Sequence, residues 1–234
     1  MKLLYDYHTH TVFSHGLGTI EENVIVAKQK GLSEIAITDH GFEHLAYPVK
    51  RKKLKIMREE CDRLTKKYGI KVLLGIEANL LDKTGRIDII EEDKKYLDII
   101  LMGYHKLVKL KPKQLWFSLK TKLLKTKKQI EENTDAYINA INKYNIKVLT
   151  HLNYGIKVNI KRLAKACKEK GVLIELNGKR INFNKEEIDY MKEIDTKFIV
   201  NSDAHRPKKV GETNIGFNFI IKNNIKFSNV VNIG

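Results

Sequence analysis

The sequence predicts an α/β fold wound around a parallel sheet, because seven short, β-rich apolar runs alternate along the chain with amphipathic stretches of helical period. Glycines follow lysines where those helical periods stop, as at Lys30-Gly31 and Lys170-Gly171, which is the residue order that caps a helix C-terminus. Length supplies a third observation. At 234 residues the chain suits one α/β barrel, a class that reaches about 200 to 250 residues without a second core, so a single domain over residues 1–234 is expected.

The first run, Leu3 to Tyr7, leads to a helical period from Ile20 to Lys30 whose Thr19-x-x-Glu22 start reads as a capping box. Glu34 to Thr38 precedes a longer period from Val49 to Tyr68, stopped by Gly69. Val72 to Ile76 is followed by Asn79 to Asp88, where Thr84-Gly85 signals the turn of a small hairpin. Leu97 to Met102 comes next, then a basic stretch and a helix from Ile130 to Tyr144. Lys147 to Thr150, a helix from Ile160 to Lys170, Val172 to Leu176, a helix from Lys185 to Ile194, and Lys197 to Asn201 complete the alternation. Each apolar run has strand length.

Composition narrows the class further. With 42% apolar residues, three Pro and fourteen Gly, the chain can fill a core and is neither collagen-like nor disordered. No apolar run approaches the ~18 residues of a membrane span. Asp6 falls where a signal peptide needs its apolar centre. A cytoplasmic protein with no membrane partner is expected, with Cys61 and Cys167 as buried free thiols.

Forty-four Lys plus Arg against 28 Asp plus Glu give a net charge of +16, which attracts phosphates, nucleic acid or anionic surfaces. Nine lysines and no acid lie between Lys106 and Lys128, together with Trp116 and Phe117. This stretch reads either as a lid or single-strand nucleic-acid contact with aromatic platforms, or as a lysine-rich helix whose aromatics join the core.

The chemistry-bearing residues follow the apolar runs. His8 and His10 come after the first, with His15 beyond; Asp39 and His40 follow the second; Glu77 follows the third. His105 follows the fourth, His151 the fifth, and Asp203 with His205 the seventh. A parallel barrel gathers the C-terminal ends of its strands on one face, where barrel enzymes build their sites, so one site can use all of these residues. His8-x-His10 puts two imidazoles on one side of an extended segment. Imidazoles with a minority of carboxylates suit Zn, Mn or Fe, whereas an all-oxygen set would suit Mg or Ca. His44 lies outside the set and reads as a loop or rim residue.

Asp6-Tyr7-His8-Thr9-His10-Thr11, Ile37-Thr38-Asp39-His40-Gly41, Gly75-Ile76-Glu77-Ala78-Asn79, Gly103-Tyr104-His105, His151 and Asn201-Ser202-Asp203-Ala204-His205 together resemble the PHP (polymerase and histidinol phosphatase) family, particularly its small stand-alone phosphatase-like members. The resemblance implies a distorted (β/α)7 TIM-like barrel with three divalent metal ions at the C-terminal ends of the strands. It assigns His8, His10, Glu77 and Asp203 to one ion, Glu77 with His105 and His151 to a second, and His15, His40 and His205 to a third. Asp39 would orient a ligand imidazole, and Glu77, Asp203 and His205 would carry catalysis. Two departures stand out: Leu152-Asn153 follows His151 where relatives often have Pro-Gly, and the sequence ends at Val231-Asn232-Ile233-Gly234 where many relatives add a last helix. The second departure is expected to leave a barrel edge or partner surface open.

Three divalent ions against Glu77 and Asp203 leave a charge of about +4, for which phosphate is the natural guest. Such ions lower the pKa of water to give a hydroxide nucleophile and neutralise a leaving oxygen. The expected activity is therefore hydrolysis of a small phosphomonoester, with histidinol phosphate or a nucleotide as substrates implied by the resemblance. Lys106, Arg180 and Arg206 follow the fourth, sixth and seventh runs as substrate-binding cations, and Asn177 reads as a substrate contact or a turn residue. Two alternatives compete. An amidohydrolase would share the H-x-H motif, but the third histidine set argues against it; a PHP-type nuclease or nucleic-acid-associated module would suit the basic stretch, but the full ligand set favours catalysis on small esters.

Overall fold

The computed structural model describes all residues except 110, 111 and 125, and all side chains except those of 110–116, 122 and 125. Seven parallel strands run in sequence order around one sheet, β1 (Tyr5–Thr9), β2 (Glu34–Ile37), β3 (Lys71–Asn79), β4 (Ile99–Gly103), β5 (Val148–Leu149), β6 (Leu173–Asn177) and β7 (Phe198–Asn201). Between them lie α1 (Ile20–Gln29), α2 (Leu54–Tyr68), the single turn α3 (Glu91–Lys94), α4 (Pro112–Leu123), α5 (Lys127–Lys143), α6 (Ile160–Lys170) and α7 (Lys185–Glu193), and α8 (Asn214–Lys222) follows β7. The result is the expected distorted (β/α)7 barrel. No helix among the described residues is long and apolar enough to cross a membrane.

Local chemistry explains the element ends. Thr19 and Glu22 exchange hydrogen bonds as a capping box at the start of α1, and Gly69 and Gly171 close α2 and α6 in the left-handed conformation that glycine adopts without a Cβ penalty. The expected turn after β3 forms: Leu80 bridges Ile87 in antiparallel sense, and Gly85 turns the chain at φ 78°. Cys61 and Cys167 are buried free thiols on α2 and α6.

Two strands reach further than their apolar runs suggest. β1 extends through His8 and β3 through Glu77, so these two residues lie within strands instead of after them. Side chains alternate across a strand, and the barrel interior shows the result. Tyr5, Leu73, Ile99, Val148, Leu173 and Ile199 belong to one apolar cluster. Two residues further along the same alternation stand Thr150, Glu175 and Asn201, and Glu77 lies four beyond Leu73. The barrel thus changes from apolar to carboxylate-bearing toward its C-terminal face.

The terminal segment corrects the expectation of an open edge. Residues 230–234 lie between β7 and the chain start: Val231 N donates to Phe198 O, Leu4 N to Asn232 O, and Lys2 and Gly234 exchange backbone bonds. Asn232 is fully buried; its Oδ1 accepts from Val200 N, and its Nδ2 donates to the carbonyls of Tyr5 and Val200. At the other end of the seam His10 N donates to Ala204 O and Ala204 N to His8 O. A helix that the sequence reading missed, α8, also covers this side.

The aromatic-platform reading of the basic stretch loses one platform, because Phe117, on α4, is buried in the core. The side chains of Trp116 and Lys122, and all of Lys125, lie outside the described residues.

Candidate metal centre

Gly103 makes room for the site. A Cβ there would stand 2.5 Å from Thr150 Oγ1 and 3.2 Å from Glu77 Oε1, so β4 must carry glycine for the Glu77 carboxylate to reach the barrel axis. Glu77 is buried. Its Oε1 accepts from His151 Nε2 at 2.7 Å and from Thr150 Oγ1 at 2.9 Å. Its Oε2 faces His40 Nδ1 at 3.0 Å, His8 Nε2 at 3.3 Å, His105 Nε2 at 3.4 Å and His10 Nε2 at 3.8 Å.

Asp203 Oδ1 lies 3.3 Å from His10 Nε2, 3.4 Å from His205 Nδ1 and 3.8 Å from His8 Nε2. Three triplets have ligand atoms within 4.8 Å of one another: His8, His10 and Asp203; His40, Glu77 and His105; and His10, His40 and His205. His40 is shared by two of these triplets, with Glu77 and His105 in one and with His10 and His205 in the other, and His15 belongs to none of them. His15 stacks on His40 at 4.7 Å between ring centres and meets His205 at 4.1 Å. His44, outside the sequence motif, is buried, stacks on His40 at 4.7 Å and accepts from Tyr47 N through Nδ1. All eight histidines join one network of ring contacts.

The fit to metal rests on atoms without hydrogen bonds. His8 Nε2, both nitrogens of His10, His15 Nδ1, His40 Nδ1, Glu77 Oε2, His105 Nε2 and His151 Nδ1 are buried and have no hydrogen-bond partner. Each such group costs about 1–3 kcal/mol when left unpaired. Several nitrogens around one carboxylate oxygen match the donor set of imidazole-rich transition-metal sites.

Neighbouring groups set the ring tautomers. His8 Nδ1 donates to Glu175 Oε1 at 2.7 Å, which leaves Nε2 facing Glu77. His105 Nδ1 donates to Asn79 Oδ1 at 2.7 Å, while Asn79 Nδ2 donates to the buried Asp88 carboxylate. Ligand histidines are generally held in this way through the other ring nitrogen. Asp39 does something else: it accepts from the Thr11 amide and hydroxyl and from the Ser14 hydroxyl, so it holds the loop between His10 and His15. Glu175 takes the orienting role that sequence reasoning gave to Asp39.

Burial dominates the electrostatics. It pushes His10 down to about 3, and His15 and His44 to about 4, with neighbouring imidazoles adding to the effect. His40 and His205 are lowered for the same first reason. Burial opposes the charged forms of Glu77 and Asp203 too, but His8 with His105 and His151 outweighs it for Glu77, and His8, His10 and Lys179 do so for Asp203. Both carboxylates lie well below their usual range. Burial opposes protonation of His8 and His151 too, but the carboxylates of Glu77, Glu175 and Asp203 outweigh it and raise both rings. The site therefore presents ionised acids, neutral rings at His10, His15, His40 and His205, and protons on His8 and His151 that a bound cation would displace.

Two site residues have left-handed backbone, His151 at φ 29° and Asp203 at φ 53°. Such conformations in non-glycine residues cost about 1–3 kcal/mol and gather at functional sites. Asn153 also turns left-handed, at φ 62°, which explains how this chain replaces the glycine of its relatives: asparagine is the side chain that best tolerates that region.

The cations predicted from sequence separate. Arg180 lies over the Tyr154 ring at 4.0 Å, beside His151. Arg206 lines an opening with Asp203 and His205, and Lys106 lines another. Sequence reasoning missed Lys179, whose Nζ donates to Asp203 Oδ1 at 3.0 Å and stands 2.7 Å from His205 Nδ1. Its position two residues after Asn177 was the available signal. Asn177 Oδ1 accepts from the Lys179 amide, and its Nδ2 donates to Glu175, so it shapes this turn.

The PHP domain family profile matches residues 6–179. A protein named "Probable phosphatase" from Caldanaerobacter subterraneus subsp. tengcongensis is 32% identical over 220 residues, covering 88% of this chain and 77% of its own. Another of that name, from a Thermoanaerobacter species, is 34% identical over 226 residues, covering 90% and 82%. Histidinol phosphate phosphatase from Lactococcus lactis, crystallised with Zn, L-histidinol and phosphate, shares the fold at a TM-score of 0.64 and 18% identity, over 97% of this chain and 95% of that one. A chain in archaeal ribonuclease P with mature tRNA matches at a TM-score of 0.51 and 16% identity, over 97% of both chains.

Proposed function

The chain belongs to the PHP domain family, and from that premise we propose that it is a metal-dependent phosphatase of small phosphomonoesters, with residues 1–234 forming one barrel domain. Histidinol phosphate and nucleotides are the substrate types that the family suggests. The observation that carries the reading is Glu77 Oε2, buried without a hydrogen bond and surrounded at 3.0–3.8 Å by nitrogens of His40, His8, His105 and His10.

His8, His10, His15, His40, Glu77, His105, His151, Asp203 and His205 would hold three ions, with Zn, Mn or Fe favoured by the imidazole majority. When bound, such ions supply acidified water and neutralise charge on a phosphoryl group. The protein's own contribution is orientation. Glu77 and Asp203 bring negative charge to the axis, Glu175 and Asn79 fix the His8 and His105 rings, and the apolar cluster in the barrel interior excludes water beneath the site. Lys179 and Arg206, beside Asp203 and His205, are placed to hold phosphate oxygens at the mouth, with Arg180 and Lys106 on neighbouring loops. His205 is partly exposed and held in its neutral form, so it faces the ester from the open side.

The test is a panel of phosphate esters assayed with metal-loaded protein, alongside an amide panel. Hydrolysis of phosphomonoesters that stops on chelation and returns with metal is expected. Wild-type turnover retained by both Glu77→Ala and His10→Ala would overturn the reading.

A further inference from the structure

Two cavities lie among the loops that follow the strands, the first of them at the metal centre itself, and both have cationic walls. One, of about 390 Å³, is lined by Asp203 and His205 together with Lys179, Arg206, Lys209 and Glu212. The other, of about 480 Å³, lies along the loops that follow His105 and His151 and is lined by Lys106 and Lys157 with no acid. In the first, Glu212 is already paired with Lys209, and Asp203 belongs to the ligand set. Among the described residues Lys106, Lys157 and Arg206 form no ion pair. α8 also begins at the first cavity, with Asn214 and Ile215, and adds the positive end of its dipole.

The first opening, which Asp203 and His205 themselves line, offers an outlet to the ester substituent of a phosphate held between Glu77 and Asp203, and the second lies on the loops that continue from His105 and His151. A leaving group with an ammonium would meet cations by either route, and one with a carboxylate or second phosphate would meet charge complements. We propose that the physiological substrate is a phosphomonoester whose leaving group carries a second anionic group, so that a cationic leaving group such as that of histidinol phosphate is disfavoured. The inference rests on the phosphatase reading for its turnover and on the cavity walls for its selectivity. Exposed ion pairs are individually weak, so two or three together give about tenfold selectivity.

Phosphoglycolate and phosphoethanolamine test this, because they are similar in size and differ in the sign of the second charge. With Mn-loaded protein, kcat/KM for phosphoglycolate should exceed that for phosphoethanolamine about tenfold at low salt, and the gap should shrink as salt screens the walls. In a variant with Lys106, Lys157, Arg206 and Lys209 replaced by Gln, with circular dichroism unchanged, the gap should close to within about threefold. A gap that survives in this variant would come from chelation of the ions by the carboxylate, and equal rates or a preference for the amine would contradict the charge argument directly; each result overturns the proposal. Calorimetric binding of both esters supplies an arm independent of turnover. Tenfold binding selectivity without hydrolysis of any ester would remove the phosphatase reading and sustain this one, and hydrolysis without selectivity would do the reverse.

Discussion

His8 Nδ1 and Glu175 Oε1 lie 2.7 Å apart with both side chains shut off from solvent. Glu175 also accepts from the His151 amide and from Asn177 and Asn201, so one carboxylate ties three strands and the β5 loop to the ring that faces Glu77.

Glu175→Gln should therefore keep the fold and weaken metal binding. Loss of the partner that orients a ligand histidine generally costs 10–100-fold in metal affinity. Titration calorimetry reads this directly, and activity measured at saturating metal should recover more than activity at limiting metal. An unchanged affinity would show that the His8 ring is fixed by packing alone.

Metal content follows from the ligand count. Elemental analysis of gently purified, metal-replete protein should give about three ions per chain. Metal bound only by the folded state stabilises it by mass action, so chelation should lower the melting temperature as well as abolish turnover. A reproducible single ion would remove the trinuclear reading and leave a hydrolase.

Asn232 closes the barrel with three side-chain hydrogen bonds. Asn232→Ala leaves the Val200 amide, its carbonyl and the Tyr5 carbonyl unpaired in the interior, a loss of about 3–9 kcal/mol at about 1–3 kcal/mol for each of the three buried groups. At about 2–4 °C per kcal/mol for a chain of this size, even the lower end lowers the melting temperature by roughly 6–12 °C. Metal affinity should change little, which separates closure of the seam from construction of the site.

The histidines were legible because each follows a β-rich run, and a parallel barrel gathers those ends by geometry alone. Glu175 was not, since a lone acid in Val172 to Leu176 gives no sign of which face it takes until β6 pairs with its neighbours. α8 was hidden for a different reason: Ile215, Phe217 and Phe219 alternate with period two, a strand-like pattern that packing against β6 and β7 overrides. The pairing of Asn232 with Tyr5 spans 227 residues, and no local pattern announces contacts of that range.

Burial pushes the Cys61 thiol up to about 12 and raises Cys167 as well. Only the thiolate reacts readily with disulfide reagents, so native protein at pH 8 should show almost no thiol titration, and denaturant should release two equivalents. The folded-state values lie above those of the unfolded chain, so the contribution of these thiols to stability is full below pH ~9 and declines as pH rises toward the Cys61 value. Rapid labelling of the native protein would contradict this protection.

The basic stretch supplies none of the nine candidate ligands, and Phe117 is committed to the core. Any single strand it binds is therefore held mainly through phosphates, which is salt-dependent and indifferent to sequence. Replacing Lys120, Lys122, Lys125 and Lys127 by Gln should leave turnover of p-nitrophenyl phosphate within about twofold, because none of the four is a candidate ligand. Affinity for single-stranded DNA should fall, and the slope of log affinity against log salt should flatten by about 0.7 for each phosphate contact removed. Equal affinity and slope in both proteins would assign these lysines to solvation of α4 and α5 and would separate nucleic-acid association from this chain's chemistry.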